Sequence, residues 1–278
     1  MSIIGLGVAA FILLFLGWKR NFFTFSQPIP QWDIPLRWTN VVAVFGIYFA
    51  VLIAGAPLLV VALRTIPFSS PVALSSWLNF LISFLILVLV LFYALRLPNA
   101  IFLKIWRRSW EKRPSYIQDV GFALWAFLFA FPLVIFLNET FDFLLDTVFH
   151  IQQIPDQLAV RFLKMTFHYP FYFFLTIITI VVLAPILEET LFRGFLQSFI
   201  RKYLGARWAI FVTALSFAFF HYAKEQGAAN LTIVGSLFAL ALFLGFVYEK
   251  RGSLVTSMSL HAIFNATNVL NLYFFGDF

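Results

Sequence analysis

Three short runs in this 278-residue chain carry side chains that can move protons. The first is Glu188-Glu189-Thr190-Leu191-Phe192-Arg193. Arg193 follows Glu189 by four positions, so on a helix the two share a face and can pair. Glu188 lies roughly 100° further round the same helix and is left free to face a cavity as a general base. The second run ends Phe217-Ala218-Phe219-Phe220-His221. The third is His261-Ala262-Ile263-Phe264-Asn265, with Asn268 one step beyond, a stripe of three polar side chains on an otherwise apolar helix. Each run has a plainer reading when taken alone. These are a structural ion pair, an interfacial histidine, and interhelical hydrogen bonding through His and Asn.

Together they describe a hydrolytic site. Counted from the basic residues of the inner loops, Glu188 lies 13 positions from Arg201, His221 14 from Arg207 and Asn265 14 from Arg251. At about 1.5 Å per residue, straight helices would bring all three to a similar depth. Glu188 would take a proton from water, and His221 would orient that water or share the proton. His261 and Asn265 would donate to the oxyanion of a tetrahedral intermediate. Glu189 and Arg193 would support Glu188. The same groups are also a donor set for zinc or another divalent metal through His221, His261 and Glu188. The metal-free reading is preferred, because the histidines are isolated, no H-E-x-x-H pair exists, and Asn265 is a poor zinc ligand.

The elements that must position these groups are helices in lipid. The chain is 62% hydrophobic and 11% charged, far from the half apolar and quarter charged of soluble domains. It has no cysteine, which removes disulfides, thiol nucleophiles and thiolate metal sites. Eight apolar stretches run 2–17, 41–63, 72–95, 120–137, 169–191, 208–220, 232–248 and 254–272. Most approach the roughly 20 residues needed to cross a hydrocarbon core. Without barrel-strand alternation they must be helices, since lipid offers backbone polar groups no partners. The expected fold is therefore all-α, a polytopic bundle of about eight membrane helices.

The net charge of +7 does not indicate nucleic-acid binding, because the basic residues cluster between apolar runs. Fourteen of the 19 lysines and arginines fall after stretches one, three, five and seven. The positive-inside rule then puts those loops in the cytoplasm and both termini outside. The first stretch lacks a basic n-region and a clear cleavage site, so it reads as a retained helix rather than a signal peptide. Trp18, Trp32, Trp38, Trp77, Trp106, Trp110 and Trp208 lie near stretch ends, as interfacial anchors do. The long connections 21–40 and 138–168 are expected to lie along the interface as amphipathic segments. Gly194 and the amphipathic run to Gly205 are a place where the fifth helix is expected to break. Two regions follow, membrane helices and loops over 1–168 and a catalytic membrane core over 169–278.

The three runs resemble the motifs of the CAAX prenyl protease and bacteriocin-processing family, the type II CAAX prenyl endopeptidases and their prokaryotic relatives. That pattern is E-E-x-x-x-R, F-x-x-x-H and H-x-x-x-N or H-x-x-x-D. Here it reads Glu188, Glu189 and Arg193, then Phe217 and His221, then His261 and Asn265, in order. Each motif alone is weak, and the ordered set is specific. The resemblance covers roughly 169–272. It implies an intramembrane endopeptidase whose partner is a membrane-associated protein or peptide, prenylated in some members of the family. It leaves open a glutamate-activated water or a metal. The short chain without soluble additions points to a prokaryotic plasma membrane. Signatures of other intramembrane proteases, G-x-S-G and G-x-G-D, are absent. The rival classes are a proton-coupled transporter using the same polar groups and a non-catalytic scaffold or immunity factor of the same fold.

Overall fold

The computed structural model describes residues 3–25, 34–66, 68, 70–107, 115–151 and 155–276. Its first helix, α1, is Ile3–Lys19, and α2 runs over Trp38–Arg64 with a widened π turn at Val51–Gly55. Then come α3 (Pro71–Arg96), α4 (Asn99–Trp106), α5 (Tyr116–Thr147) and α6 (Leu158–Thr166). The long composite helix α7 spans Pro170–Phe220, followed by α8 (Ala229–Arg251) and α9 (Leu254–Phe275). The protein is an all-helical, polytopic integral membrane protein.

Five of these helices are long and apolar enough to cross a membrane: α2, α3, α5, α7 and α8. This measure of length and hydropathy does not confirm the expected eight, and three features account for the difference. Stretches five and six lie within α7 on either side of a kink at Gly205, so they count as one element although two helices meet there. Helix α1 is apolar but has 17 residues. Helix α9 is 22 residues long, yet His261, Asn265, Asn268 and Asn271 lower its hydropathy below that of a lipid-facing span. A helix with such a polar stripe must turn it toward protein or water.

Other expectations shift in detail. Helix α7 stays helical at Gly194 and breaks at the far end of the expected run, at Gly205. Its one non-helical residue is Gly205, at φ 75°, ψ 173°, a conformation costly for any residue with a Cβ. Arg201 is therefore not a loop residue but a helical one, 8% exposed, and it cannot serve as a depth marker. The connection expected from residue 138 begins only after Thr147, because α5 continues that far. Helix α6, inside the same connection, is a separate nine-residue segment. Trp18, Trp38 and Trp208 are largely exposed at helix ends or beside the α7 bend, whereas Trp32 and Trp110 lie outside the described residues.

Helices α7 and α8 are joined by a polar ladder. Arg193 Nη2 donates to Ala241 O at 3.1 Å, and Gln197 Nε2 donates to Gly245 O at 3.1 Å and to Glu249 Oε1 at 3.0 Å. Arg201 Nε pairs with Glu249 Oε2 at 3.2 Å. Both sides repeat every four residues, so the rungs follow one stripe on each helix. The helices approach closely because position 245 is glycine. A Cβ there would meet Gln197 Oε1 at 2.8 Å and Ile210 Cγ2 at 3.2 Å. Gly245→Ala is expected to destabilise the bundle by about 1–3 kcal/mol through overpacking. Gly121→Ala, where nothing lies within 4 Å, should be neutral or stabilise by up to about 1 kcal/mol. Thermal unfolding in detergent reads both. A common direction of shift would show that close helix approach is not what glycine 245 provides.

Two residues beyond Glu249, at the C-terminal end of α8, Arg251 donates to Asp119 Oδ1 through Nε at 3.1 Å and Nη2 at 2.9 Å. Asp119 is fully buried, so this pair ties α8 to the start of α5. Lys250 is held by the carbonyls of Asn21, Phe22 and Thr24 and sits over the Phe22, Phe122 and Phe246 rings. That contact anchors the turn after α1.

Candidate active site

The site is assembled on α7 and α9. Two π turns, Thr179–Leu183 and Thr190–Gln197, flank the short α-helical stretch Ala184–Glu189. Such widened turns shift backbone bonding by one residue and are frequent at functional positions. Glu189 and Arg193 pair as their spacing predicts, Nη1 to Oε1 at 3.0 Å, with both side chains at 0% exposure. The Arg193 guanidinium also lies over the Phe217 ring at 4.6 Å. The pair is held by Arg193 Nη2 to Ala241 O and by His261 on Glu189 Oε1, while Glu189 Oε2 and Arg193 Nε are buried without a hydrogen bond, and removing either half would strand the other.

Glu189 Oε1 accepts a second contact, from His261 Nδ1 at 3.0 Å. His221 Nδ1 lies 2.9 Å from Phe217 O. A backbone carbonyl only accepts, and so does a carboxylate paired with arginine. Both imidazoles therefore carry their hydrogen on Nδ1, an assignment made from the partners. The Phe217 ring contacts both, tilted at 4.7 Å from His221 and edge-on at 5.8 Å from His261.

The consequence is that both Nε2 atoms present lone pairs. Each lies 3.8 Å from the same atom, Glu188 Oε2. That oxygen is buried and has no hydrogen-bond partner, although the Glu188 side chain as a whole is 18% exposed. Three acceptors thus face one point, at separations too long for direct hydrogen bonds. A separation above 3.5 Å between polar atoms is one that a shared water or substrate atom bridges. The arrangement recruits a donor or a cation. Among the described residues, no group of three or more His, Cys, Asp or Glu side chains is arranged as a ready metal cage. Any ion held by Glu188, His221 and His261 would need them to close in.

Asn265 is placed differently. Its Nδ2 donates to Ile180 O at 2.9 Å, in the π turn that precedes the glutamates. It lies one helical turn beyond His261 and, with Asn268, lines a separate cavity rather than the Glu188 pocket. The stripe read from the sequence is continuous along α9, yet only its first member meets Glu188. Gln197, Glu249 and Asp119 are not among the residues expected from the sequence to matter, and Arg201 is expected there only as a loop residue. Their signal was present, since each is a polar side chain in or beside an apolar run.

Residues 170–267 match the family model described as Rce1-like, type II CAAX prenyl endopeptidase. The resemblance read from the three motifs is borne out over that segment. The UPF0177 protein YaiF of Lactococcus lactis subsp. lactis is 31% identical over 113 residues, 41% of this chain and 46% of that protein. An uncharacterized 24.3 kDa protein of Escherichia coli is 33% identical over 87 residues, 31% of this chain and 39% of that protein. The chain thus spans less than half the length of these curated relatives. No solved structure matches.

Proposed function

Taking residues 170–267 as a type II CAAX prenyl endopeptidase-like segment, we propose that this protein is an intramembrane endopeptidase. Its substrate is a membrane-associated protein or peptide, of CAAX type or another. The observation that carries the reading is the convergence of two imidazole Nε2 atoms on the unpartnered Oε2 of Glu188 at 3.8 Å. A water donating its two hydrogens to Glu188 and to one imidazole keeps a lone pair free for attack.

Glu188 accepts the water's proton as its oxygen bonds to the scissile carbonyl carbon, and the carbonyl π electrons move onto oxygen. His261, backed by Glu189, takes a proton from solvent at Nε2 before the attack, donates a hydrogen bond through it to that oxyanion and keeps the proton through the cycle. Collapse re-forms the carbonyl and breaks the C–N bond, while the proton held by Glu188 passes to the leaving nitrogen. The products are a carboxylic acid and an amine. His221 orients the water, and Arg193 with Phe217 keeps the Glu189–His261 pair in place. The basic loops are assigned to the cytoplasmic face of a prokaryotic plasma membrane, with both termini outside.

The test is hydrolysis of membrane-anchored peptides by the full chain in proteoliposomes. Activity that disappears with Glu188→Gln supports the proposal. Unchanged turnover, or biological activity that survives the substitution, would favour a non-catalytic scaffold or immunity factor. A second measurement separates the water and metal routes. Strong chelators are expected to leave the rate unchanged, and a loss restored by zinc would assign His221, His261 and Glu188 as ligands.

A further inference from the structure

On the far side of Asn265 lies a cavity of about 540 Å³ between α5, α6, α8 and α9. Part of its wall is apolar, from residues such as Val134, Leu163, Val269 and Leu272. Its polar wall combines the carboxylates of Glu139, Asp142 and Asp156 with the amides of Asn138, Gln157, Asn265, Asn268 and Asn271. Among the described residues, no Lys, Arg or His lines it. Asp156 is offset by Lys164, 2.8 Å away. Asp142 is held by neutral donors only, Thr232 Oγ1 at 2.7 Å and Asn138 Nδ2 at 3.2 Å, which fix its carboxylate without cancelling the charge. Glu139 stands exposed beside it.

Amides that both donate and accept suit a peptide backbone. An apolar wall with uncompensated carboxylates suits a long basic side chain, whose stem packs while its head is paired. A metal ion is a poorer fit, since the described residues hold no metal-binding group of three or more acids or histidines. Asn265 and Asn268 also link the cavity to the Glu188 site. They lie four and seven residues beyond His261, roughly 6 and 10 Å along the helix. An extended chain covers that distance in about two to four residues.

We propose that this cavity is a substrate subsite that binds an extended peptide segment carrying a basic residue about two to four positions from the scissile bond. It rests on the endopeptidase reading for its link to cleavage, but binding can be measured without cleavage. The probes are two fluorescent, palmitoylated peptides of identical sequence except that one carries lysines where the other carries glutamates. The protein is the full chain in neutral phosphatidylcholine nanodiscs. The lysine peptide is expected to bind about tenfold more tightly. Glu139→Gln and Asp142→Asn should each remove most of that preference while leaving hydrolysis of a neutral peptide intact. Glu139 is exposed, so its neutralisation carries little risk to folding, and unfolding midpoints check Asp142→Asn.

Equal binding of the two peptides, or a preference untouched by both variants, would overturn the subsite even if Glu188-dependent cleavage holds. Charge-selective binding with no hydrolysis of either peptide would keep the cavity and remove the endopeptidase assignment.

Discussion

Glu188→Gln should lower the turnover of membrane-anchored peptides by about 10²–10⁴-fold, the contribution of a positioned general base, with the unfolding midpoint unchanged. Glutamine has nearly the same shape but cannot accept the water's proton. The folded state loses little, because Oε2 of Glu188 makes no hydrogen bond and its two nearest basic atoms are 3.8 Å away. The neighbouring Glu189→Gln should behave in the opposite way on stability. Glu189 is fully buried between Arg193 and His261, and its neutralisation strands a buried guanidinium. Two adjacent residues of one type would then divide into a chemical role and a structural one. Activity and unfolding measured on both variants decide it. A Glu188→Gln protein that unfolds early but turns over normally would reverse the assignment.

How much of this could be read beforehand depends on what periodicity encodes. The Glu189–Arg193 pair lies within one helix, and a spacing of four specifies it. That Glu188, His221 and His261 meet is a statement about three separated segments. The sequence suggested it only through the combination of their motifs. The depth count that supported it used Arg201 as a loop marker, although Arg201 is buried in α7 against Glu249, so the expectation rested partly on a false reference.

The missed features share a cause. A polar position in an apolar run announces that it must face protein, not which helix it faces. Gln197 could therefore be seen as costly in lipid, but its rungs to Gly245 and Glu249 required the packing of α8. Asn265 shows the same limit from the other direction. His261, Asn265 and Asn268 do share one stripe, but the stripe is about 10 Å long. The segment of α7 opposite it changes from Glu189 at His261 to Ile180 at Asn265. The two π turns add to this, because each shifts the bonding by one residue and no spacing rule for an α-helix anticipates the shift. Length and hydropathy alone give fewer spans than eight where polar function enters. Helix α9 carries the polar stripe that takes it below the hydropathy of a lipid-facing span.

Arg193→Met should be the most destabilising single change in the site, by about 3–5 kcal/mol, since it leaves the Glu189 carboxylate buried without its cation. Arg193 also supplies the rung to Ala241 O and the contact over Phe217, so part of the loss is packing between α7, α8 and the histidine-bearing end of α7. Adding Glu189→Gln to Arg193→Met removes the stranded charge. The double variant should recover stability relative to Arg193→Met, with a coupling of about 0.5–3 kcal/mol. It should remain inactive, because His261 has lost the carboxylate that orients its ring through Nδ1. Arg193→Lys should not substitute. A single ammonium cannot reach Glu189 and Ala241 O in the forked geometry of a guanidinium. Unfolding of the four proteins in one detergent, with peptide hydrolysis measured alongside, gives the cycle. Additive losses in the double variant would mean that the pair is not coupled, and the histidine-orienting role given to Glu189 would lose its structural basis.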